Sequence, residues 1–460
     1  MLNTEAMIAN KINISQAVGN RYDVSFYNER FDFISNSYPS YELGQILFVN
    51  PAVSYKHIAD DDLISFVPME AIDEQNGIIA IRKTILYSNI KGYTKFQEGD
   101  LLWAKITPCM QNGKSAIARN LVNGVGCGST EFYVLRPKSD KVLIEYIHYI
   151  LRDNRVLESA RNSFGGSAGQ QRVSSSYLKS IKIPLPPIEI QQQIVDIYIT
   201  AQKAKQVKDE EAKSMLDNIN PFLLEVLDIT SNQQYEKKST ILTPISYLIG
   251  QRFDVSSYKE HFEMISNKYP NRKLSSLVEI DPAVKFAALN EDTPISFIPM
   301  ECIDEKYGEI SEQREISISK IKGYTRFEEG DLLWAKITPC MQNGKSAIAR
   351  HLKNGVGCGS TEYFVIRPKT RDLLIDYVYL MLRHSEVLKA AQNSFGGSAG
   401  QQRVSSQYLR SIVIPFPNKD IQQSIVDVIF ERKQTAKQLQ KEGAELLEKA
   451  KQDIEKIILD

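Results

Sequence analysis

Three polar segments hold the side chains best suited to meet a polyanion or the edges of bases: QNGKS from residue 111, GCGSTE from 126 and NSFGGSAGQQRVSS from 162. Gln and Asn amides set a donor beside an acceptor, which matches adenine. Arg and Lys match guanine, while Ser, Thr and glycine N–H groups suit phosphate oxygens. Each segment occurs twice. Residues 99–119, GDLLWAKITPCMQNGKSAIAR, recur unchanged at 330–350; NGVGCGSTE at 123 recurs at 354, and NSFGGSAGQQRVSS at 162 recurs at 393. The candidate contacts are therefore Gln111, Asn112, Lys114, Ser129, Thr130, Ser167, Gln170, Gln171 and Arg172. Their counterparts are Gln342, Asn343, Lys345, Ser360, Thr361, Ser398, Gln401, Gln402 and Arg403. Each type also has a plainer reading: Gly165, Gly166 and Gly169 suit a turn, Lys114 a solvated hairpin, and Glu131 and Glu362 ordinary strand ends.

Duplication also tests for catalysis, because a group required in both copies should reappear at the same offset, 231 (330 less 99). No histidine does: His57, His148, His351 and His384 face Ala288, Tyr379, Asn120 and Asp153, and His261 faces Arg30. A histidine-centred triad or metal site in each copy is thereby disfavoured. PCMQNGKSA lacks the first glycine of a phosphate loop, having Pro108 there, and proline offers no N–H. No GxGxxG follows a strand, and Asn50-Pro51 and Asp281-Pro282 are followed by alanine, so neither NPPY nor DPPY is present. The five cysteines form no CxxC and read as reduced and mostly buried. No catalytic residue, metal ligand or cofactor is assigned to the chain.

The elements that must position these segments follow from pattern. LISFVPM (63), DLLWAKI (100), SAIAR (115), EFYVLRP (131) and SIKIPLP (180) predict strands, with Trp103 and Trp334 in the core, and VLIEYIHYILRDNRVLESA (142) predicts helix. Each copy ends in a proline-rich stop followed by a seam: Ile190, Ile194, Ile197, Ala201 and Ala204 step by four and three. Pro221 predicts a kink or restart. The second seam runs from Ile421 and Ile425 to Ile454 and Ile457, interrupted by Arg432 and Glu442.

The predicted fold is α+β: two tandem homologous domains, each followed by a long helix, the helices packing as an antiparallel coiled coil with a pseudo-two-fold. The divisions are 1–187, first domain with a short N-terminal extension; 188–228, central helix; 229–251, connection; 252–418, second domain; 419–460, distal helix. Fifty-six Lys and Arg balance 56 Asp and Glu. A uniformly basic coat is excluded, yet residues 161–182 hold four cations and no acid, while 189–228 hold eight acids and four lysines. The start, MLNTEAMIANKINIS, lacks an export-signal pattern and no apolar run approaches the roughly 18 residues of a membrane span, so a cytoplasmic protein is expected.

The GDLLWAKITPC strand, the GSTEFYVLRPK strand, the QQRVSSSYLKSIKIPLPP exit and their copies resemble the specificity subunits of type I restriction-modification systems over nearly the whole chain. That resemblance implies two target recognition domains, each reading half of a bipartite site in double-stranded DNA, and paired helices that dock adenine methyltransferase subunits. An ATP-dependent restriction subunit joins some such complexes. S-adenosylmethionine and ATP are then expected on partner subunits and none in this chain. Near-identical copies predict an interrupted palindrome. The copies differ most at 53–62 against 284–293 and at 79–89 against 310–320, where half-site differences would arise. Two other readings stand beside this one: an autonomous DNA methyltransferase or nuclease, and a two-headed protein adaptor without DNA affinity.

Overall fold

The computed structural model describes residues 33, 35–163, 171–229, 263–284, 286, 289–393 and 402–459. The chain divides into two compact units, 1–208 with 441–460, and 209–440. These cut across the divisions drawn from sequence because both long helices contribute to both units.

In the first unit the strands are β1 (Ser40–Glu42), β2 (Leu47–Val49), β3 (Leu63–Val67), β4 (Ile72–Asp73), β5 (Ile78–Ile79), β6 (Lys83–Leu86), β7 (Thr94–Gln97), β8 (Leu101–Ala104), β9 (Ser115–Ile117), β10 (Val125–Gly128), β11 (Phe132–Pro137) and β12 (Lys182–Pro184). One four-stranded sheet runs β6-β3-β10-β7, with β3 and β10 parallel; another, wholly antiparallel, runs β2-β11-β8-β9. The second unit repeats both sheets strand for strand. LLWA at 101 is buried at every position, so its Trp103 is core. Its back packs against helices α2 (Ile144–Leu151) and α3 (Asn154–Asn162) through Tyr146, Ile147, Ile150 and Val156.

Two readings are corrected. The stretch from 142 to 160 forms two helices, because the chain turns at Arg152 and Asp153 caps the second by accepting from the Arg155 N–H. VGCG at 125, grouped by sequence with a polar segment, is the buried strand β10. A Cβ on Gly126 would lie 2.4 Å from the Phe96 ring, and one on Gly128 2.1 Å from the Val67 carbonyl oxygen. Glycine is required there for close approach.

Helix α5 (Ile188–Asp217) stops at Asn218 and restarts as α6 (Ile219–Val226), with Pro221 in the first turn, as its missing N–H allows. The terminal helix spans Lys419–Leu459. Inside the first unit Ile194 and Val195 share a core with Ile454 and Ile458, and Lys205 approaches Gly443 so closely that a Cβ there would meet its Cα at 3.3 Å. Inside the second, Ala212 packs near Ala436. In each unit the helices meet antiparallel. The seam interruptions are polar cross-contacts: Glu442 accepts from Lys208 at 2.6 Å, and Arg432 donates to the Asn218 carbonyl at 3.2 Å and covers the Phe222 ring. Most of the 229–251 connection lies outside the described residues.

Candidate nucleic-acid interface

Strand β10 sits between β3 and β7, so its end delivers Ser129, Thr130 and Glu131 to one edge of that sheet, with Gly128 level with Val67 and Thr94. The Ser129 N–H donates to the Val67 carbonyl (3.2 Å), and Ser129 Oγ accepts from the Glu131 N–H (3.2 Å). Thr130 stands exposed on the turn.

The chain returning from 171 straps this turn. Thr107 N–H donates to the Gln171 carbonyl (3.1 Å), Val173 N–H to the Lys105 carbonyl (2.9 Å) and Lys105 N–H to the Glu131 carbonyl (2.9 Å). Arg172 then forks onto Glu131, with Nε 2.9 Å and Nη2 2.7 Å from its two oxygens, a bidentate fit that lysine could not make. That hydrogen-bonded guanidinium holds the Glu131 carboxyl below the usual carboxylate range. Lys105 places its ammonium 5.3 Å above the Tyr133 ring, whose hydroxyl donates to the Val173 carbonyl. Gln171, Arg172, Ser129 and Thr130 are thus brought together, with Glu131 as a member sequence reasoning had set aside. The second unit reproduces the arrangement: Arg403 forks onto Glu362 at 2.8 and 2.7 Å, Thr338 N–H donates to the Gln402 carbonyl, and Ser360 and Thr361 hold the same turn.

Gln111, Asn112 and Lys114 form a separate group. Their loop closes on itself through Met110 N–H to the Ile106 carbonyl and Lys114 N–H to the Cys109 carbonyl. Lys114 Nζ donates to the Met69 carbonyl (3.3 Å) and Asn112 to Glu74 (3.5 Å); Lys345 and Asn343 do the same with Met300 (3.2 Å) and Glu305 (3.1 Å). Lys114 thus anchors a neighbouring turn, whereas Gln111 and Gln342 are exposed. Ser167, Gln170, Ser398 and Gln401 lie outside the described residues.

Residues missed by sequence reasoning adjoin the turn. Thr94 pairs with Gly128, so the preceding Lys91-Gly92-Tyr93 emerges at the same sheet edge; Tyr93 is 39% exposed and packs edge-on to Phe66 at 5.0 Å. Tyr324 repeats this at 40% exposure against Phe297. The signal was available: KGYT at 91 recurs unchanged at 322. The two divergent segments meet at the opposite end of β3, where Leu63 pairs with Leu86. Tyr87 N–H donates to the Asp62 carbonyl (2.8 Å), and the Tyr55 and Tyr87 rings stack at 5.2 Å. Exposed aromatics between lysines form a surface on which bases can stack while cations neutralise phosphates. The histidines stand apart from it: His148 faces Ser115 Oγ at 3.2 Å, and burial, helped by Arg152, pushes it down to about 3.

Each unit is thus an α+β module that carries one strapped polar turn and is followed by a long helix. The chain matches the family described as type I restriction modification DNA specificity domain over residues 40–208 and 262–449, and it belongs to that family. It is 34% identical over 186 residues to the type I restriction enzyme EcoEI specificity subunit of Escherichia coli, covering 40% of this chain and 31% of that protein. It is 32% identical over 210 residues to the EcoAI specificity subunit of the same species, covering 45% and 34%. The chain thus matches about a third of the length of these curated relatives. In fold it is similar to a chain from a solved structure described as the structural basis of complex assembly and conformational transition of the type I R-M system. The TM-score is 0.52 at 17% identity, over 92% of this chain and 97% of that one. Among the described residues, no helix is long and apolar enough to cross a membrane.

Proposed function

We propose that this chain is the DNA sequence-specificity subunit of a type I restriction-modification complex and carries no catalysis of its own. Each domain reads one half of a bipartite site through the strapped turn. Gln171 and Gln402 meet base edges, the Ser129–Thr130 and Ser360–Thr361 turns meet phosphates, and Tyr93 and Tyr324 pack against the backbone or a base. The helices dock adenine methyltransferase subunits, which supply the S-adenosylmethionine chemistry, and an ATP-dependent restriction subunit uses the same platform where the cell has one. Such a complex works in the cytoplasm.

The observation that carries this reading is the repetition of the whole turn, strap and fork, residue for residue, at the same place in both units. A fold alone would not need identical exposed residues twice, whereas two nearly equal half-sites would. Methylome sequencing of cells carrying the complete system tests it, with an interrupted and nearly palindromic adenine-methylated motif expected. A markedly asymmetric motif, or mobility shifts with duplex DNA that are blank at every salt concentration, would count against it. Modification of DNA by the purified chain alone would return the autonomous enzyme to first place.

A further inference from the structure

The two copies differ where each domain meets its own helix. In the second unit that junction is bridged by the chain's own side chains. Lys433 Nζ reaches the Tyr307 carbonyl (2.9 Å) and the Tyr379 hydroxyl (2.8 Å), Lys437 pairs with Glu309, and Tyr307 donates its hydroxyl to Gln440 (2.7 Å). The first unit carries Gln202, His148, Gln206, Ile78 and Asn76 at those positions. Gln202 spans that junction by donating to the Asn76 carbonyl at 2.9 Å, and the Tyr149 and Tyr198 rings meet edge-on at 4.9 Å. An open groove of about 610 Å³ remains between the β5–β9 region and α5.

Its floor is apolar, from Ile79, Ile117, Val195 and Tyr198, and Ile78 and Ile199 stand 52% and 36% exposed along it. Its rim is cationic, with Arg82, Arg119, Arg152 and Lys203 against the single carboxylate of Glu145, which Arg119 already pairs. Arg152 donates to the carbonyls of Gly113, Glu74 and Gln75. The second copy lacks part of this chemistry: Ile78, Ile81 and Arg82 become Glu309, Glu312 and Gln313, and Lys203 becomes Gln434, while Arg119 and Arg152 persist as Arg350 and Arg383.

We infer that the first copy's groove is a docking site for one acidic amphipathic helix of a partner polypeptide, seated with its apolar face on Ile78, Tyr198 and Ile199. An apolar floor suits side chains and not a phosphate backbone, and positions 195, 198, 199, 202 and 206 of α5 present the stepped stripe on which a second helix packs. The cationic rim selects an acidic helix, and in the second copy the bridge of Lys433, Lys437 and Tyr307 occupies the equivalent place, where Gln313 and Gln434 stand for Arg82 and Lys203. The stoichiometry is therefore one helix per chain, unlike a partner that recognises features shared by both copies.

The test is fluorescence anisotropy of the full-length protein with a labelled acidic peptide carrying Leu and Phe at i, i+4 and i+7, set against its Lys-substituted counterpart and an unlabelled DNA duplex as competitor. The acidic peptide should bind once per chain, weaken with salt, and lose more than about tenfold in affinity in R82E/K203E. The same loss should follow in N76Y/I78E/Q202K/Q206K, which installs the second copy's bridge, while circular dichroism reports an unchanged fold. No binding, two sites per chain, indifference to R82E/K203E in folded protein, or displacement by the duplex would each overturn the assignment.

Discussion

The strapped turn depends on how closely β10 lies against β3, and Gly128 measures that dependence. In Gly128→Ala the new Cβ would fall 2.1 Å from the Val67 carbonyl oxygen and 3.0 Å from its carbon. Both atoms are backbone and cannot rotate away, so the two strands must part or the parallel pairing of Gly128 with Val67 must break. Overpacking of this kind costs about 1–3 kcal/mol, and a backbone clash belongs at the upper end. For a unit of this size, about 3 kcal/mol corresponds to a fall in Tm of roughly 6–12 °C. The displaced residues are Ser129 to Glu131, so specific affinity for the complete DNA site should fall with stability. Gly124→Ala is the control: Gly124 has a positive φ of 70° and nothing within 4 Å of its would-be Cβ, so the substitution brings only backbone strain of about 1 kcal/mol. Thermal unfolding by circular dichroism and mobility shift would be run on both, with Gly359→Ala as the second copy's equivalent at 2.1 Å from the Ile298 oxygen. If Gly128→Ala melts with the control and binds DNA as well as the parent, the close approach argued for β10 is wrong.

Three further outcomes follow from the same geometry. The Glu131 and Glu362 carboxyls are held below their ordinary range by Arg172 and Arg403, so the forks stabilise at neutral pH. That stability is lost as pH falls through the lowered folded values, and urea midpoints between pH 6 and pH 3 should show a shallower acid limb in E131Q/E362Q. Lys433 is pushed down to about 7, chiefly by burial and then by Arg383. The unfolded chain therefore binds more protons than the folded one between about pH 7 and pH 10, so the second unit should gain stability as pH rises through that window, and Lys433→Met should abolish the gain. Tyr93→Ala with Tyr324→Ala should weaken DNA binding while moving Tm by only a few degrees, because both rings are well exposed; unchanged binding would remove them from the interface.

What sequence could reveal divides along physical lines. Strands such as DLLWAKI and EFYVLRP declare themselves because burial on both faces yields short continuous apolar runs between turn residues, and Pro221 declares a helix restart because it lacks an N–H. Strand β10 escaped because its burial is achieved by omitting side chains: Gly126 and Gly128 register in a hydropathy pattern as turn residues, although their lack of Cβ is what admits Phe96 and Val67. The Arg172–Glu131 fork escaped for another reason. The partners lie 41 residues apart in unrelated elements, so no periodicity links them and only the strap from Gln171 to Val173 brings them together. The reach of Lys114 to the Met69 carbonyl is set by a tertiary approach that spacing does not encode.

The duplication separates what recognition requires from what it can vary. The turn, fork and KGYT edge are held identical, so on the proposed reading they contact what the two half-sites share: phosphates and common bases. Within the domains, difference is concentrated in the segments 53–62 and 79–89 and their counterparts. Tyr55 donates its hydroxyl to the Gly126 carbonyl (3.0 Å) under the ammonium of Lys95, 5.6 Å from its ring; the second copy keeps the stacked geometry with Phe286 beneath Arg326 at 5.4 Å. The ring and the cation persist while the buried hydroxyl disappears and a point charge becomes a planar fork, so the cation and not the ring is what changes at the surface. On the proposed reading, a letter by which the half-sites differ is set in the divergent segments and by differences such as Lys95 against Arg326. The strapped turns, being the same in both copies, cannot set it.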